Sequence, residues 1–432
     1  MNVDLRAVRS PAEQALSAAF RSVRGASPGA IADLREAAFA RFEATGLPHR
    51  RIEEWKYTDL RTLMREAKPL AEPAGKTGRP PALAGVDAIR LAIVNGRYEP
   101  GWSDVDIGKA GVALTELFDF ACAPAGHRIG DAPGKDDIAV SLNTALMTGG
   151  VVLRVGRDVA LARPVHLAHL FVGTAAAAMF PRSVVIVEPG ARLTLVETFD
   201  GPPALDYQVN SVLELVIGDR AQVDHVLIGR DGEAALRLST VGTTVGTGAS
   251  YNEFFFTSGG GLIRNQLFAR FAGEGSEAVI GGASLLRGRQ HVDNTLVIEH
   301  AVGGCTSRER FRSVLADASR GIFQGKIIVA PHAQKTDAKM ASNALLLSEE
   351  AEAVNKPELE IFADDVQCGH GATAGALDAA LKFYLMARGI PEKDAESLLI
   401  QAFIGASIEQ VAHEGVRGWL TRTAVEWLAA RQ

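Results

Sequence analysis

The chain has few cysteines, few aromatic residues and no long apolar run. Its three cysteines, Cys122, Cys305 and Cys368, are far apart among 432 residues. A disulfide framework needs pairs of cysteines, so this usage favours a reducing compartment, and we expect a cytoplasmic protein. The segment from Met1 to Phe20 contains acids and lacks an apolar stretch, which predicts no signal peptide. No segment approaches the roughly twenty apolar residues of a membrane span, so the sequence predicts no membrane association.

Positive and negative charges are nearly balanced. The net charge is −6, with acids and bases interspersed along the chain. This pattern is not typical of a surface that binds nucleic acid, nor of one that anchors to an anionic membrane. A chain of 432 residues is too long for one compact core, and we expect two or three structural units.

Apolar residues recur at helical spacing at both ends of the chain. From Pro11 to Thr45 they predict two helices, separated at Gly25–Gly29. Near the C-terminus they predict a helix that ends at Gly389, a second that begins at Pro391 and a third from about Gly415. The apolar faces predicted for the first two of these C-terminal helices comprise Leu377, Leu381, Tyr384 and Leu385, then Leu398, Leu399, Ala402, Phe403 and Ala406. These helices are expected to cap the neighbouring unit, either as their whole role or in addition to docking a partner.

Between the helical ends, short runs rich in β-branched residues are punctuated by glycine. No helix-length pattern separates most of these runs, which argues against a doubly wound α/β fold. Tight turns at Pro189, Gly218, Gly246 and Gly273 precede strands and recur at about 28 residues, within the spacing of solenoid coils. This repeat favours a β-helix, while a β-sandwich, with similar turns but no period, remains the alternative. The clearest predicted strands are Leu91–Val94, Val151–Val155, Val184–Val187, Leu193–Glu197, Val212–Ile217, Val223–Ile228, Tyr251–Phe256 and Leu296–Ile298.

Two segments connect the N-terminal helices to the β region. Glu53–Tyr57 carries Trp55 and Tyr57, whose apolar rings and polar tips suit a half-buried seam between units. The linker that follows contains Gly75-Lys76-Thr77, which matches the tail of a phosphate-binding P-loop. The first glycine of that motif is replaced by Leu70, and no strand precedes it. The sequence therefore predicts no nucleotide site, and any ATP hydrolysis linked to this protein is expected in another subunit.

The densest set of chemically reactive residues lies in segment 360–373, EIFADDVQCGHGAT. On an extended chain, side chains at i and i+2 share a side, so Cys368 and His370 are predicted to point the same way. A thiolate and an imidazole suit zinc or iron, but a closed tetrahedral site needs four ligands. The remaining ligands are therefore expected from elsewhere, most plausibly from a second chain. Asp364 and Asp365 are predicted to form a turn, with a role in iron delivery as the alternative.

Other candidate residues have a simpler structural reading. Cys305 is predicted to be a buried thiol. His300 and His332 are expected on strands, in the core or hydrogen-bonded. His166 and His169 are spaced i, i+3 in a strand-like run, so the two side chains should point to opposite faces.

Two acidic pairs are candidates for polysaccharide cleavage on a β-helix. The candidates are Asp219 with Asp224, and Glu197 with Asp200. An acid and a base must converge on one glycosidic bond, and nothing in the spacing shows such convergence.

Several motifs together resemble the SufB/SufD family of iron–sulfur cluster assembly proteins, most closely its SufD branch. The matching segments are 53–59 (EEWKYTD), 299–300 (EH), 305–308 (CTSR), 321–325 (GIFQG), 332–337 (HAQKTD) and 362–375 (FADDVQCGHGATAG). The match is dense from about His291 to Gly389 and sparse from Gly75 to Phe254. SufB-like chains often carry a cysteine cluster in the N-terminal half, where this chain has only Cys122.

The resemblance implies a mainly β protein with a right-handed parallel β-helix core at residues 86–372. This core would be flanked by a helical unit with linker at 1–85 and a helical unit at 373–432. By resemblance, the chain is a non-catalytic scaffold subunit that pairs with SufB and docks the ATPase SufC through its C-terminal helices. His370 falls at the position of the SufD histidine that faces a SufB cysteine, and Cys368 matches the cysteine two residues earlier.

The expected cargo is a transient iron–sulfur cluster at the partner interface, with no cofactor bound tightly to the isolated chain. A flavin has been linked to complexes of this family, but no flavin motif is present and this point stays open, as does a homodimer of the isolated chain. Two other functions remain as alternatives. One is a carbohydrate-active β-helix enzyme, and the other is a solenoid interaction protein without chemistry.

Overall fold

The computed structural model describes residues 9–26, 29–75, 82–104, 107–108, 111–121 and 129–430. The strands in these ranges are β1 (Ile89–Val94), β2 (Arg97–Tyr98), β3 (Val112–Glu116), β4 (Val151–Val155), β5 (Val165–Leu170), β6 (Ala178–Met179), β7 (Arg182–Val187), β8 (Arg192–Asp200), β9 (Gln208–Ile217), β10 (Gln222–Arg230), β11 (Leu236–Val245), β12 (Ser250–Thr257), β13 (Leu262–Phe271), β14 (Glu277–Leu286), β15 (His291–His300), β16 (Thr306–Leu315), β17 (Arg320–Val329), β18 (Asp337–Leu346), β19 (Glu352–Ile361) and β20 (Gln367–Gly375). The α-helices are α1 (Pro11–Val23), α2 (Gly29–Thr45), α3 (Leu60–Leu63), α4 (Leu117–Ala121), α5 (Ile138–Leu146), α6 (Ala379–Met386), α7 (Glu392–Ile408) and α8 (Glu414–Ala429).

From β7 onwards, consecutive strands alternate between two sheets, which makes the core a parallel β-helix of about 8 turns. The first sheet has the order β2-β1-β5-β8-β10-β12-β14-β16-β18-β20. The second has the order β19-β17-β15-β13-β11-β9-β7-β4-β3, with β6 beside β9. Neighbours are parallel except β1 with β2 and β3 with β4, which are antiparallel. The predicted β-helix is thus confirmed, and the β-sandwich alternative is wrong.

The coil repeat follows from tight turns and from strands that are buried on both faces. The Asn252 amide donates to Asp224 one coil earlier, 28 residues back along the chain. In β10, Val223 and Leu227 face the column inside the solenoid, while Val226 and Ile228 belong to a second cluster under the C-terminal helices. Burial on both faces explains why these strands read as continuous apolar runs without clean alternation.

The N-terminal helices pack on the outer face of the second sheet, against Leu236, Leu238 and Leu262. The indole of Trp55 is buried and lies over the guanidinium of Arg264, with 3.9 Å between the ring centroid and Cζ. The predicted fastening role of Trp55 is therefore confirmed, whereas Tyr57 is only half-buried.

Helices α7 and α8 cover the outer face of the first sheet, but α7 does so with other side chains than those predicted. In α7 the buried face carries Ala395, Ile400, Ile404 and Ile408, whereas Leu398 on the predicted face is exposed. In α6 no residue is buried. The predicted apolar faces therefore do not form the contact with the core, and that prediction is wrong. Helix α7 packs on the sheet through a different row of side chains, and α6 buries none.

His332 was expected on a strand, but it is exposed in a turn before β18, so that prediction is wrong. Cys122, and Lys76 and Thr77 of the P-loop-like segment, lie outside the described residues. Among the described residues, no helix is both long and apolar enough to cross a membrane.

Candidate functional site

The C-terminal end of the β-helix is formed by two edge strands, one from each sheet. β20 is the last strand of the first sheet and β19 the last strand of the second. Within the described part of the chain, each pairs along one edge only, β20 with β18 and β19 with β17. The other edge of each strand presents backbone N–H and C=O groups, a ready template for strand pairing with another chain.

Cys368 and His370 lie on the inner side of this last coil. Cys368 is paired in register with Ala338, and His370 with Met340. Both partners are buried in the inner column, and Cys368 packs against the same column. The expected common side of the two side chains is confirmed by this register. Because no further coil among the described residues covers them, Cys368 is only half-buried and His370 is exposed.

Apolar side chains surround this opening. Leu359 on the inner side of β19 packs against the core of the solenoid. Ile361 at the end of β19 is 39% exposed, and the neighbouring Phe362 is 62% exposed. Exposed large apolar side chains at the end of a solenoid indicate a surface that is covered in the working state.

The turn between β19 and β20 contains the two predicted acids. The Lys335 backbone N–H donates to the Asp365 carbonyl at 2.7 Å, and the Lys335 ammonium pairs with the Asp365 carboxylate. The Asp365 backbone N–H donates to Gln334 Oε1 at 2.8 Å. These contacts confirm the turn role for Asp365, and Asp364 lies in the same bend.

The electrostatic surroundings keep Cys368 in the thiol form. Burial raises the pKa of the Cys368 thiol above its usual range, and Asp337 and Glu309 raise it further, against a lowering by the Ala338 backbone. A metal that binds here must therefore displace the thiol proton. Among the described residues, no group of three or more His, Cys, Asp and Glu side chains is placed to hold a metal ion. The pair is thus chemically suitable but incomplete within the part of the chain that the structure describes.

Two coils below His370, sequence reasoning missed a buried carboxyl. Glu309 occupies the same inner column, paired with Met340 above and Ile280 below. It is 0% exposed, and neither carboxylate oxygen has a hydrogen-bond partner of ordinary geometry. The only sequence signal was its place in the alternation of β16, two residues before the inward Phe311.

The remaining candidates serve the structure. Cys305 is buried, as predicted, with its thiol near the carbonyl of Gly273 at 3.4 Å. His300 is buried and shares a 3.0 Å hydrogen bond with the Ser307 hydroxyl. Burial lowers the pKa of His300 to about 4, so it is neutral at physiological pH. Both predictions are confirmed, a buried thiol for Cys305 and a hydrogen-bonded core histidine for His300.

His166 and His169 point to opposite faces, as predicted. His169 Nε2 lies 2.8 Å from Glu197 Oε1 inside the solenoid, and His166 Nε2 lies 2.9 Å from the Thr198 hydroxyl. Glu197 belongs to a buried ladder in which His225 bridges the carboxylates of Glu197, at 3.2 Å, and Glu253, at 2.8 Å.

The acidic pairs considered for polysaccharide cleavage do not form a groove. Glu197 is buried inside the solenoid, and Asp200 pairs with Arg230. The carboxylate of Asp219 accepts the Thr247 backbone N–H at 2.9 Å, and Asp224 accepts from an asparagine of the next coil. Since these acids hold the coils together, the structure gives no support to a glycosidase.

Helices α6 and α7 also expose large apolar side chains. We define the α6/α7 patch as Leu381, Phe383, Tyr384, Met386 and Leu398. Phe383 is 72% exposed, and the other four members range from 39% to 53% exposed. Phe403, on the predicted face of α7, is partly buried under the guanidinium of Arg312 at 5.0 Å. The sequence pattern that was expected to fill a core is thus left largely open to another molecule.

Comparison with known proteins agrees with this geometry. Residues 170–403, more than half of the chain, match the family model described as "SUF system FeS cluster assembly, SufBD core domain". The chain belongs to the SufBD family. Residues 16–68 also match the model of the SufBD protein N-terminal region. This second match covers the helical unit that Trp55 fastens to the β-helix.

Relatives of this SufBD protein are similar over most of their length. An iron–sulfur cluster assembly SufBD family protein of Synechocystis is 29% identical over 92% of this chain and 91% of its own. The iron–sulfur cluster assembly protein SufD of Escherichia coli is 29% identical over 86% of this chain and 87% of its own. SufD of Bacillus subtilis is 27% identical over 64% of each chain. The SufD resemblance predicted from the sequence is confirmed, and with it a SufD-type role in iron–sulfur cluster assembly.

Proposed function

We propose that this chain is a non-catalytic scaffold subunit of a Suf complex, and that it forms half of a cluster assembly site by pairing with SufB. One observation carries the proposal. Cys368 and His370 lie on β20, on the uncovered inner side of the last coil. The two strands of that coil, β19 and β20, each have one unpaired edge among the described residues. A partner that adds a coil to both edges would cover these two side chains and could supply the missing ligands.

The shape of the opening favours a partner with a matching β-helix. Adding a strand to an exposed edge satisfies main-chain hydrogen bonds along its whole length, and alternate side chains then decide specificity. Here both edges belong to ten-residue or nine-residue strands, β19 and β20. A partner with two terminal strands of similar length satisfies both edges at once, and Ile361 and Phe362 would add apolar contact area.

The cluster itself is the cargo of this site. Cys368 and His370 supply a soft sulfur and an imidazole nitrogen, ligands that suit iron and iron–sulfur species. Two ligands hold such a species weakly, which suits a site that must release what is assembled on it. Cytoplasmic ATP hydrolysis by the partner SufC would supply the energy, because this chain shows no nucleotide-binding motif.

The α6/α7 patch supports docking of SufC. Leu398 lies on α7, which packs on the outer face of the first sheet, and the other members lie on α6, which packs against α7. Both helices are away from the inner column that carries Cys368 and His370. A subunit that binds this patch therefore leaves the open end free for SufB. Movement of SufC during its ATP cycle would then reach the β-helix through the contacts of α7 with β14 and β16.

Co-purification with tagged SufB and SufC tests the pairing surface. Phe362→Asp places a charge at the open end, where the side chain is 62% exposed, so folding should be unaffected. Leu63→Asp is the matched control, since Leu63 is 43% exposed on the N-terminal unit. We expect Phe362→Asp to lose SufB and Leu63→Asp to retain it. Equal recovery of SufB with both variants would contradict pairing at the open end, and a homodimer through the same strands would also be lost in Phe362→Asp.

A further inference from the structure

Glu309 is the one carboxyl of the terminal coils that is wholly enclosed by the described structure and has no hydrogen-bond partner of ordinary geometry. Its strand, β16, is paired with β14 and β18, and its side chain points into the solenoid with Phe311. It is 0% exposed, and no donor bonds to either oxygen in good geometry. Such a group is costly when ionised, because a buried charge needs a partner.

The groups that face Glu309 offer little compensation. From β14 and β18 it meets Ile280 and Met340. On its own strand the nearest polar group is Ser307, whose hydroxyl is already engaged with His300 on β15. Arg308 points to the outer side and pairs with Asp337 there.

Further along the column, ionisable groups lie one strand beyond the apolar neighbours. Glu253 lies beyond Ile280, and His370 lies beyond Met340. Cys368, in the same terminal strand, is close enough for a Glu309 charge to act on it. None of these groups is a cation held against the carboxyl.

The consequence is a carboxyl that changes charge near neutral pH. Burial raises the pKa of Glu309 to about 7, against weaker lowering by Ser307, by its own backbone N–H and by Arg308. Above this pH the carboxylate is ionised, and it becomes hydrated only if the coils around it open to water. The coils that cover Glu309 from above are β18 and β20, and β20 is itself an edge strand. Opening at this end breaks fewer contacts than opening in the middle of the solenoid.

We infer that Glu309 makes the opening of the terminal coils, β16 to β20, proton-dependent, so that the surface for pairing is ordered best when this carboxyl is protonated. The regulatory meaning of this device rests on the proposed function, because it acts on the edge that a partner would bind. The physical effect itself belongs to the isolated chain. It couples pH to the open end without any bound ligand.

The direction and size of the effect follow from linkage. The opened state exposes Glu309 to water, where a carboxyl releases its proton more readily, so opening becomes easier as pH rises towards the native pKa and levels off above it. The native pKa of about 7 is compared with an ordinary value of 4.5. The opening equilibrium constant should then increase about tenfold between pH 6 and pH 8.

Hydrogen exchange of the full chain, read by mass spectrometry at pH 6, 7 and 8, measures this directly. Rates are corrected for the intrinsic pH dependence of exchange. Glu309→Gln removes the titration while keeping the shape, and Glu277→Gln, at an exposed position on β14, is the control. We expect β18–β20 amides of the native chain and of Glu277→Gln to show the extra tenfold opening, and those of Glu309→Gln to show none.

Two further arms keep the result decisive. Glu309→Leu is apolar and equally free of titration, so it replaces Glu309→Gln if that variant fails to fold. An extra pH dependence that persists in both variants, or that is missing from the native chain, overturns the inference. Association with SufB is measured separately at pH 6 and pH 8. Proton-dependent opening without any SufB binding would contradict the proposed function. The effect of Glu309 on opening would then stand, but its role in regulating SufB binding would not.

Discussion

The guanidinium of Arg264 lies over the indole of Trp55, with 3.9 Å between Cζ and the ring centroid, and this contact joins the N-terminal helices to the β-helix. Arg264 also donates to the Glu54 carbonyl at 2.7 Å and pairs with Asp293 at 2.5 Å. Asp293 in turn accepts from the Thr58 hydroxyl at 2.5 Å. Because the cation is buried, its ring and carboxylate partners are all needed to offset its desolvation.

Trp55→Ala should therefore destabilise the chain by about 3–5 kcal/mol, the usual cost of deleting a buried tryptophan. The measurement is urea unfolding followed by far-ultraviolet circular dichroism. Tyr57→Phe is the control, since that ring is only half-buried and keeps its apolar body. A decrease in the free energy of unfolding of less than about 1 kcal/mol in Trp55→Ala would show that the packing of the N-terminal helices on the β-helix does not depend on this contact.

The buried ladder inside the solenoid predicts a stability that depends on pH. Burial opposes the charge of His225, but the Glu253 and Glu197 carboxylates raise its pKa to about 10. A histidine with a raised native pKa contributes stability fully below its unfolded value of about 6.5 and loses it as pH rises towards the native value. The free energy of unfolding should thus fall between pH 6.5 and pH 9.5.

His225→Leu removes this titration and takes from the buried carboxylates of Glu197 and Glu253 the imidazolium that they share. We expect it to cost about 3–5 kcal/mol near pH 7 and to flatten the alkaline dependence. Unfolding in urea at several pH values checks both statements. An unchanged alkaline slope in a folded His225→Leu would show that the dependence arises elsewhere.

The α6/α7 patch predicts a loss of SufC binding without loss of folding. Phe383→Ser removes a side chain that is 72% exposed, so the unfolding midpoint should stay within error. If SufC covers the ring, affinity should fall by about 1.5–3 kcal/mol, or at least tenfold, in a titration followed by calorimetry. Val425→Ser, 41% exposed on α8 and outside the patch, should bind SufC normally. Equal affinities for the two variants would contradict docking at the patch.

Thiol accessibility distinguishes the two cysteines of the β-helix. In a Cys122→Ser background, iodoacetamide should modify half-buried Cys368 and spare Cys305, which is 0% exposed. Addition of SufB should protect Cys368, because a further coil would cover it. Mass spectrometry of the tryptic peptides reads the result. Modification of Cys368 at the same rate with and without SufB would show that the partner does not close the open end.

Much of the fold could be predicted from the sequence because each coil repeats the same local pattern of turn and strand. Glycine-containing turns and β-branched runs marked the strands, and the 28-residue spacing marked the solenoid. Leu398 and the rest of its predicted face were misread because amphipathic spacing does not say which partner covers a face. In α7 the sheet takes Ile400, Ile404 and Ile408 instead.

The site was only half readable for a related reason. Cys368 and His370 stood out by residue type and by i, i+2 spacing within one strand. Glu309 belongs to the same inner column through pairing between coils, and such pairing joins residues about 30 positions apart that no local pattern connects. His332 shows the opposite error. Its motif predicted a strand from local sequence, but the chain forms a turn at this residue.

The most direct test of the account is the iron and sulfide content of the complex with SufB and SufC, assembled anaerobically with the native chain and with His370→Ala. His332→Ala is the matched control, an exposed histidine in a turn of the preceding coil. The account predicts that all three complexes form and that His370→Ala alone loses most of its iron and sulfide. Equal cluster content in the His370→Ala complex would contradict a role for the open end of this chain in holding the cluster.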